Sequence, residues 1–209
     1  ISGEPFSVFL EIFFKAINLK KYKTPIIIIT SKDLLIKQMK YLKYKFKINL
    51  LDKNEIKSKK LNNNSINIIN VDFKFSKPFE KISDRSNFYI EKCFKTGLEI
   101  IKKNSISGLI NGPISKKNFL KEEYLGITEY LANKTKKTDK VAMLIYNKKL
   151  SVSPITTHLP LKLVSKNLSK NKIINHVKLI KNFYKLNFKI DPKIGITVLN
   201  PHCESNYRS

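Results

Sequence analysis

The chain has no tryptophan, six glycines, three histidines and two cysteines among its 209 residues, and of its 41 basic residues only Arg85 and Arg208 are arginine. Each shortage excludes something. Two thiols as far apart as Cys93 and Cys203 supply neither a disulfide framework nor the close spacing of a metal knuckle, which points to a reducing, cytoplasmic setting. Cys93 falls on a helical apolar stripe and is expected in the core, whereas Cys203 follows a histidine in a loop. The longest purely apolar run centres on Pro25 to Ile29, too short to cross a bilayer, so no membrane partner is expected. The opening Ile1-Ser2-Gly3-Glu4-Pro5 lacks a basic segment followed by an apolar one, so no secretory signal is visible, and it carries no initiator methionine.

The formal net charge of +25 at first suggests a polyanionic partner. The scarcity of arginine argues against nucleic acid, because base edges and phosphates are commonly gripped by the bidentate guanidinium fork. Lysine is spread along the whole chain beside an excess of asparagine and isoleucine, which reads as a coding bias toward A and T acting on solvated positions. Diffuse charge of this kind governs solubility and loose association.

With 42% apolar residues the chain can bury a substantial core as one large domain or two lobes. Its apolar periodicity alternates between helix-like and strand-like, the pattern of an α/β protein with a mostly parallel sheet. Phe6 to Ile17 reads as a helix after Pro5, Pro25 to Thr30 as a buried strand, and Ser31 as the N-cap of a helix running to about Leu42. Strands are expected at Phe46 to Leu51 and Ile66 to Val71, with a surface loop containing Asn62, Asn63 and Asn64 between them. A long helix should run from about Ser83 to Lys103, and Ser107 to Asn111 should form a buried strand ended by Gly112-Pro113. Val141 to Tyr146 and Leu150 to Ile155 read as a hairpin about the Asn147-Lys148-Lys149 turn. A helix from about Ser169 to Leu186 carries His176, read as an ordinary surface histidine, and Ile194 to Leu199 reads as a last strand. The sequence stops in the loop after it, with no closing helix, so more chain is expected.

Three loops stand at the expected carboxyl ends of strands, where open α/β sheets place their ligands: Asn111 to Lys116, Thr156 to Pro160, and Asn200 to Glu204. Two of the three histidines, His158 and His202, lie in two of these loops. Neutral imidazole suits borderline divalent metals, yet a strand-end histidine also serves packing or hydrogen bonding, so the residues alone leave both roles open. Lys116 is open in the same way, between an anion contact and a solvated lysine among many.

Larger motifs narrow the choice. Leu109 to Lys117, Gly126 to Lys134 (GITEYLANK), Pro154 to Leu163 (PITTHLPLKL) and Leu199 to His202 (LNPH) resemble, in order and spacing, the 4-hydroxythreonine-4-phosphate dehydrogenase family. Ser2-Gly3-Glu4-Pro5 through Glu11 resembles that family's N-terminal Gly-Asp-Pro loop, so the likeness spans nearly the whole chain. It implies an α/β/α fold with a mostly parallel sheet and two lobes, similar to isocitrate and isopropylmalate dehydrogenases. The lobes are expected at 1–112 and 113–209, the second carrying the metal-ligand loops and a homodimer interface with a shared active site.

The resemblance also implies the chemistry. His158 and His202 would be two of three histidine ligands to a divalent metal (zinc, magnesium or cobalt), the third lying in a later Tyr-His-Asp motif beyond this chain. The reaction would be NAD-dependent oxidation of 4-phosphohydroxy-L-threonine, followed by decarboxylation, toward pyridoxal phosphate, with the metal lowering the pKa of the substrate hydroxyl. Thr128 and Lys116 would contact substrate. Ile127 stands where the family has a histidine, and it neither donates nor accepts a hydrogen bond. A different phosphorylated hydroxy acid, such as a four-carbon sugar acid phosphate, therefore remains an alternative substrate, and a non-catalytic anion-binding relative an alternative role. Phe6-Ser7-Val8 also departs from the small residues usual in the first loop, and His202-Cys203-Glu204-Ser205 from the glycine-rich tail.

Overall fold

The computed structural model describes residues 1–54, 56, 61–103, 106–121, 123–138 and 140–197. The chain divides into two compact units, Ile1–Glu122 and Glu123–Ser209.

The first unit is built on three short parallel strands. Ile27-Ile28-Ile29-Thr30 is wholly β-branched, which suits a strand buried on both faces. This β1 (Ile27–Thr30) pairs with β3 (Ile66–Asn70), and β3 with β2 (Ile48–Leu50), giving the order β1-β3-β2. Ile28 lies opposite Ile68 and Ile48 opposite Ile66. Alternation sends Ile28, Ile66 and Ile68 to one face, where they pack with Leu10 and Phe14 of α1 (Phe9–Leu19) and Leu35 of α2 (Lys32–Tyr41). Ile29 points the other way, toward α3 (Asn87–Lys103). A Cβ on Gly97 of that helix would stand 3.4 Å from Ile29 Cδ1 and 2.9 Å from Leu109 Cδ1, so the bare glycine lets helix and sheet close up. Helices thus cover both faces, which is the expected α/β/α layering.

Phe14 is fully buried, with the rings of Tyr44 and Phe46 centred 5.6 and 6.0 Å away. Side chains of this size each contribute about 1.5–3 kcal/mol when removed from water. Ser31 caps α2 as expected, its side chain accepting from Leu34 N at 3.3 Å. The asparagines before β3 do more than solvate a loop. Asn63 Oδ1 accepts from Ile26 N at 2.9 Å, and its Nδ2 donates to the carbonyls of Tyr22 and Thr24, both at 2.8 Å. Buried Asn67 Nδ2 donates to the carbonyls of Ile26 and Asn62, while its Oδ1 accepts from Asn49 Nδ2 at 2.9 Å. These amides satisfy backbone groups where the strands begin.

The expected strand at Ser107 to Asn111 is not formed in the described residues. Ile110, meant for a core, is 79% exposed. The segment instead pairs its backbone with the first residues, Gly112 N donating to Ile1 O at 2.9 Å. Residues after 112 also hold to this unit. Asn118 Nδ2 donates to Asp84 and Asn87 Nδ2 to Asn118 O, both at 2.8 Å, and Leu120 is buried.

The second unit carries α4 (Ile127–Lys134), α5 (Leu161–Val164) and α6 (Lys170–Phe188), the last capped by Ser169, whose hydroxyl accepts from Lys172 N at 3.3 Å. The expected hairpin is reduced to one antiparallel bridge, Ile145 with Val152. Tyr146 stacks on Phe188 of α6, centred 5.2 Å away, but Ile145, Leu150 and Val152 stay exposed, and the ladder does not propagate. No strand forms over 194–197, and Val198 and Leu199 lie outside the described residues. His176, read from sequence as an ordinary surface histidine, is half-buried and bonded. Its Nε2 stands 2.6 Å from Ser153 Oγ, which also bonds the Met143 carbonyl, so it ties α6 to the bridged segment. Burial together with the nearby Lys172 ammonium lowers its pKa.

Candidate functional site

In the first unit, polar residues gather at the carboxyl end of β1, the edge where parallel sheets receive ligands. Gly3 has φ +66°, and a Cβ there would fall 2.4 Å from Pro113 O. A Cβ on Gly112 would fall 2.1 Å from Ser2 O. Two bare glycines therefore let the loops at 2–5 and 111–113 interlock, and Glu4 N donates to Pro113 O at 2.8 Å.

Tyr89, from α3, locks this loop to β1. Its hydroxyl stands 3.0 Å from Ser2 Oγ and 3.1 Å from Thr30 Oγ1, and accepts from Ser31 N at 3.0 Å. Burial raises its pKa far above the usual phenol range. Glu4 is buried beside it, with Oε1 accepting from Ser86 Oγ at 2.8 Å and Oε2 without a partner. Burial pushes its carboxyl up, against the Ser86 and Phe6 hydrogen bonds. Gln38 Nε2 donates to Pro5 O at 3.0 Å and Pro78 O at 2.7 Å, holding the turn from behind. Sequence reasoning had singled out none of Tyr89, Gln38 and Ser86. The Gly-Glu-Pro turn was the available signal, since it joins a flexible and a rigid residue around one carboxylate.

Lys116 opens a single wide helical turn, Lys116–Leu120, in which Ser115 Oγ accepts from Asn118 N at 3.1 Å. Its ammonium is exposed, and no ion pair engages it among the described residues. Cys93, buried as expected, has its thiol pushed up to about 12 by burial and is unsuited to nucleophilic work.

The second unit carries Ile127, Thr128 and His158 of the residues singled out from sequence. Gly126 is the extended N-cap of α4, so Ile127 and Thr128 occupy its first two helical positions, both half-buried. Glu129 follows in the same turn. Thr157 Oγ1 donates to Glu129 Oε1 at 3.1 Å, while Glu129 Oε2 is buried without a partner. His158 has a left-handed backbone, φ +57°, uncommon for a residue with a side chain. Its Nε2 lies 3.4 Å, and Glu129 Oε2 3.1 Å, from the point a Cβ on Gly126 would occupy. The glycine thus clears room for an imidazole and a carboxylate side by side. That donor chemistry fits a divalent cation, with His158 exposed enough to reach one and Glu129 supplying negative charge. His202, Cys203 and the LNPH segment lie outside the described residues. Among the described residues there is no cluster of three or more metal-type side chains.

Comparison with known proteins bears on what this arrangement is. The family model described as pyridoxal phosphate biosynthetic protein PdxA matches residues 21–207. The chain belongs to the PdxA family. It is 36% identical over 212 residues to the 4-hydroxythreonine-4-phosphate dehydrogenase of Sulfurihydrogenibium sp., an alignment covering 98% of this chain and 63% of that protein. It is 26% identical over 128 residues to the D-threonate 4-phosphate dehydrogenase of Salmonella typhimurium, covering 60% of this chain and 39% of that one. The crystal structure of 4-hydroxythreonine-4-phosphate dehydrogenase from Klebsiella pneumoniae superposes with a TM-score of 0.81 at 21% identity, over 98% of this chain and 62% of the other. That likeness establishes the fold, the isocitrate dehydrogenase-like α/β arrangement expected from the motifs. The chain spans somewhat under two thirds of the length of the Sulfurihydrogenibium and Klebsiella proteins. No helix among its described residues is long and apolar enough to cross a membrane.

Proposed function

We propose that this chain is the larger part of a metal-dependent, NAD-linked dehydrogenase. The substrate is 4-phosphohydroxy-L-threonine, oxidised and decarboxylated to 3-amino-2-oxopropyl phosphate for pyridoxal phosphate synthesis, by a homodimer in the cytoplasm. The observation that carries this reading is that His158 Nε2 and the unpartnered Glu129 Oε2 both lie within 3.4 Å of the point a Cβ on Gly126 would occupy, within motifs of the PdxA family.

In this reading His158 and His202 hold zinc, magnesium or cobalt together with a third histidine from outside the chain. Bound there, the cation supplies Lewis acidity that lowers the pKa of a substrate hydroxyl. The left-handed backbone at His158 aims its ring beside α4, whose first turn presents Thr128. The Thr128 hydroxyl both donates and accepts, so it orients a polar group of the substrate. Lys116 offers its exposed ammonium to an anionic group.

Ile127 favours a second reading. It presents only apolar surface at the position beside Thr128, and the Salmonella typhimurium relative acts on D-threonate 4-phosphate by name. The test is NAD reduction by the full-length polypeptide with each phosphorylated acid, before and after chelation and metal replacement. Metal-dependent turnover favouring 4-phosphohydroxy-L-threonine supports the first reading, and a preference for D-threonate 4-phosphate selects the second. Absence of turnover on both, with metal present, overturns the dehydrogenase reading.

A further inference from the structure

Glu129 has two carboxylate oxygens in unlike surroundings. Oε1 is held by the Thr157 hydroxyl at 3.1 Å, whereas Oε2 is buried and unpartnered. Leaving a buried charged acceptor unmade costs about 1–3 kcal/mol or more, so the arrangement calls for a donor that local packing does not already provide. The group beside Oε2 is the His158 ring, with Nε2 and Oε2 both within 3.4 Å of the empty Cβ position of Gly126. Thr157 and His158 are consecutive, so a single loop supplies both the hydroxyl that steadies the carboxylate and the imidazole next to it. His158 has a left-handed backbone, φ +57°, and its ring lies against Gly126, the N-cap of α4.

Resting on the reading of His158 as a metal ligand, we propose that Glu129 is a positioning residue for it. A small turn of the ring brings the Nε2–H of His158 onto Oε2, which has no hydrogen-bond partner in this structure, fixing one tautomer and leaving the Nδ1 lone pair for the cation. A neutral imidazole has one N–H and one lone pair, and the hydrogen bond made by one nitrogen decides what the other can do. Thr157, through Oε1, keeps the carboxylate from swinging away. Gly126 keeps a methyl out of the space the pair shares.

Long-range proton–nitrogen NMR on the 209-residue chain without metal reads the tautomer directly, and only three histidines need assignment. His158 is expected as the Nε2–H form in the wild type, as a mixture in Glu129→Ala, and again as Nε2–H in Glu129→Gln, whose amide oxygen still accepts. Titration with cobalt(II) should show roughly 10- to 100-fold weaker binding in Glu129→Ala, a smaller loss in Thr157→Val, and recovery of much of the affinity in Glu129→Gln. Glu129→Gln keeps the test decisive should the alanine variant fail to fold. Unchanged tautomer and unchanged cobalt affinity across Glu129→Ala and Thr157→Val overturn the proposal. A glutamine variant as weak as the alanine one overturns it differently, by making Glu129 a ligand in its own right. A wild-type chain that keeps the Glu129-dependent tautomer yet takes up no cobalt upholds the contact and sinks the metal reading.

Discussion

Removing one oxygen, in Tyr89→Phe, tests whether the first loop is held to the sheet as described. The hydroxyl accepts from Ser31 N and stands within 3.1 Å of both Ser2 Oγ and Thr30 Oγ1, all buried. Phenylalanine preserves the ring and its contact with Phe73, centred 4.7 Å away, so little packing is lost. The Ser31 amide is then orphaned, at about 1–3 kcal/mol, and the two side-chain hydroxyls re-pair at best with each other. A total loss of about 2–4 kcal/mol is expected, a large share of a domain's net stability. Urea unfolding followed by far-ultraviolet circular dichroism should show a lower midpoint with an unchanged slope, since the surface exposed on unfolding is the same. Adding Thr30→Val should cost less in the Tyr89→Phe background than alone, because the two share a bond. A loss below about 0.5 kcal/mol, or full additivity, refutes the idea that Tyr89 locks the loop.

Other consequences are simpler. Phe14→Ala empties the centre of the first unit's core and should cost about 3–5 kcal/mol in the same urea assay. The Glu4 carboxyl is pushed up in the folded chain by burial, so its contribution is fully present below the unfolded carboxylate value and is lost as pH rises through the folded one. Glu4→Gln should therefore flatten that fall in a pH series of unfolding midpoints, and an equal slope in wild type and variant would contradict it. An open groove of about 640 Å³ is lined by Lys40, Lys43, Lys45 and Lys47 over Tyr44 and Phe46, with no arginine. Mixed-sequence DNA should bind weakly and be released by moderate salt, as diffuse lysine charge dictates, and a complex stable in high salt would oppose this.

Much of the first unit was legible because local and tertiary signals agreed. The β-branched run Ile27 to Thr30, the Ser31 cap and the apolar stripe carrying Cys93 and Phe94 each specify a strand or helix that the core then uses. The segments after Ser105 misled for a reason visible in their exposure. Ile110, Leu150 and Ile196 have strand-like side chains, but nothing covers them in the described residues, and apolar pattern alone cannot show whether a partner is there. The second-unit site was legible in part, since Thr128 and His158 were both singled out. Its geometry was not, because the clearance at Gly126 and the left-handed turn at His158 are backbone properties that residue types do not announce. Tyr89 and Gln38 were missed because each residue looks ordinary in sequence, and only folding brings them to the Ser2-Gly3-Glu4-Pro5 turn, Tyr89 through the Ser2 hydroxyl and Gln38 through the Pro5 carbonyl.

Divalent-metal affinity of the purified chain, measured for the wild type, His158→Ala and His202→Ala by competition with a chromophoric chelator, bears most directly on the account. One cation per chain is expected in the wild type, with each single substitution weakening it by at least roughly the 10- to 100-fold that loss of even a supporting residue brings. Equal affinity in all three proteins would show that the two imidazoles do not share a metal.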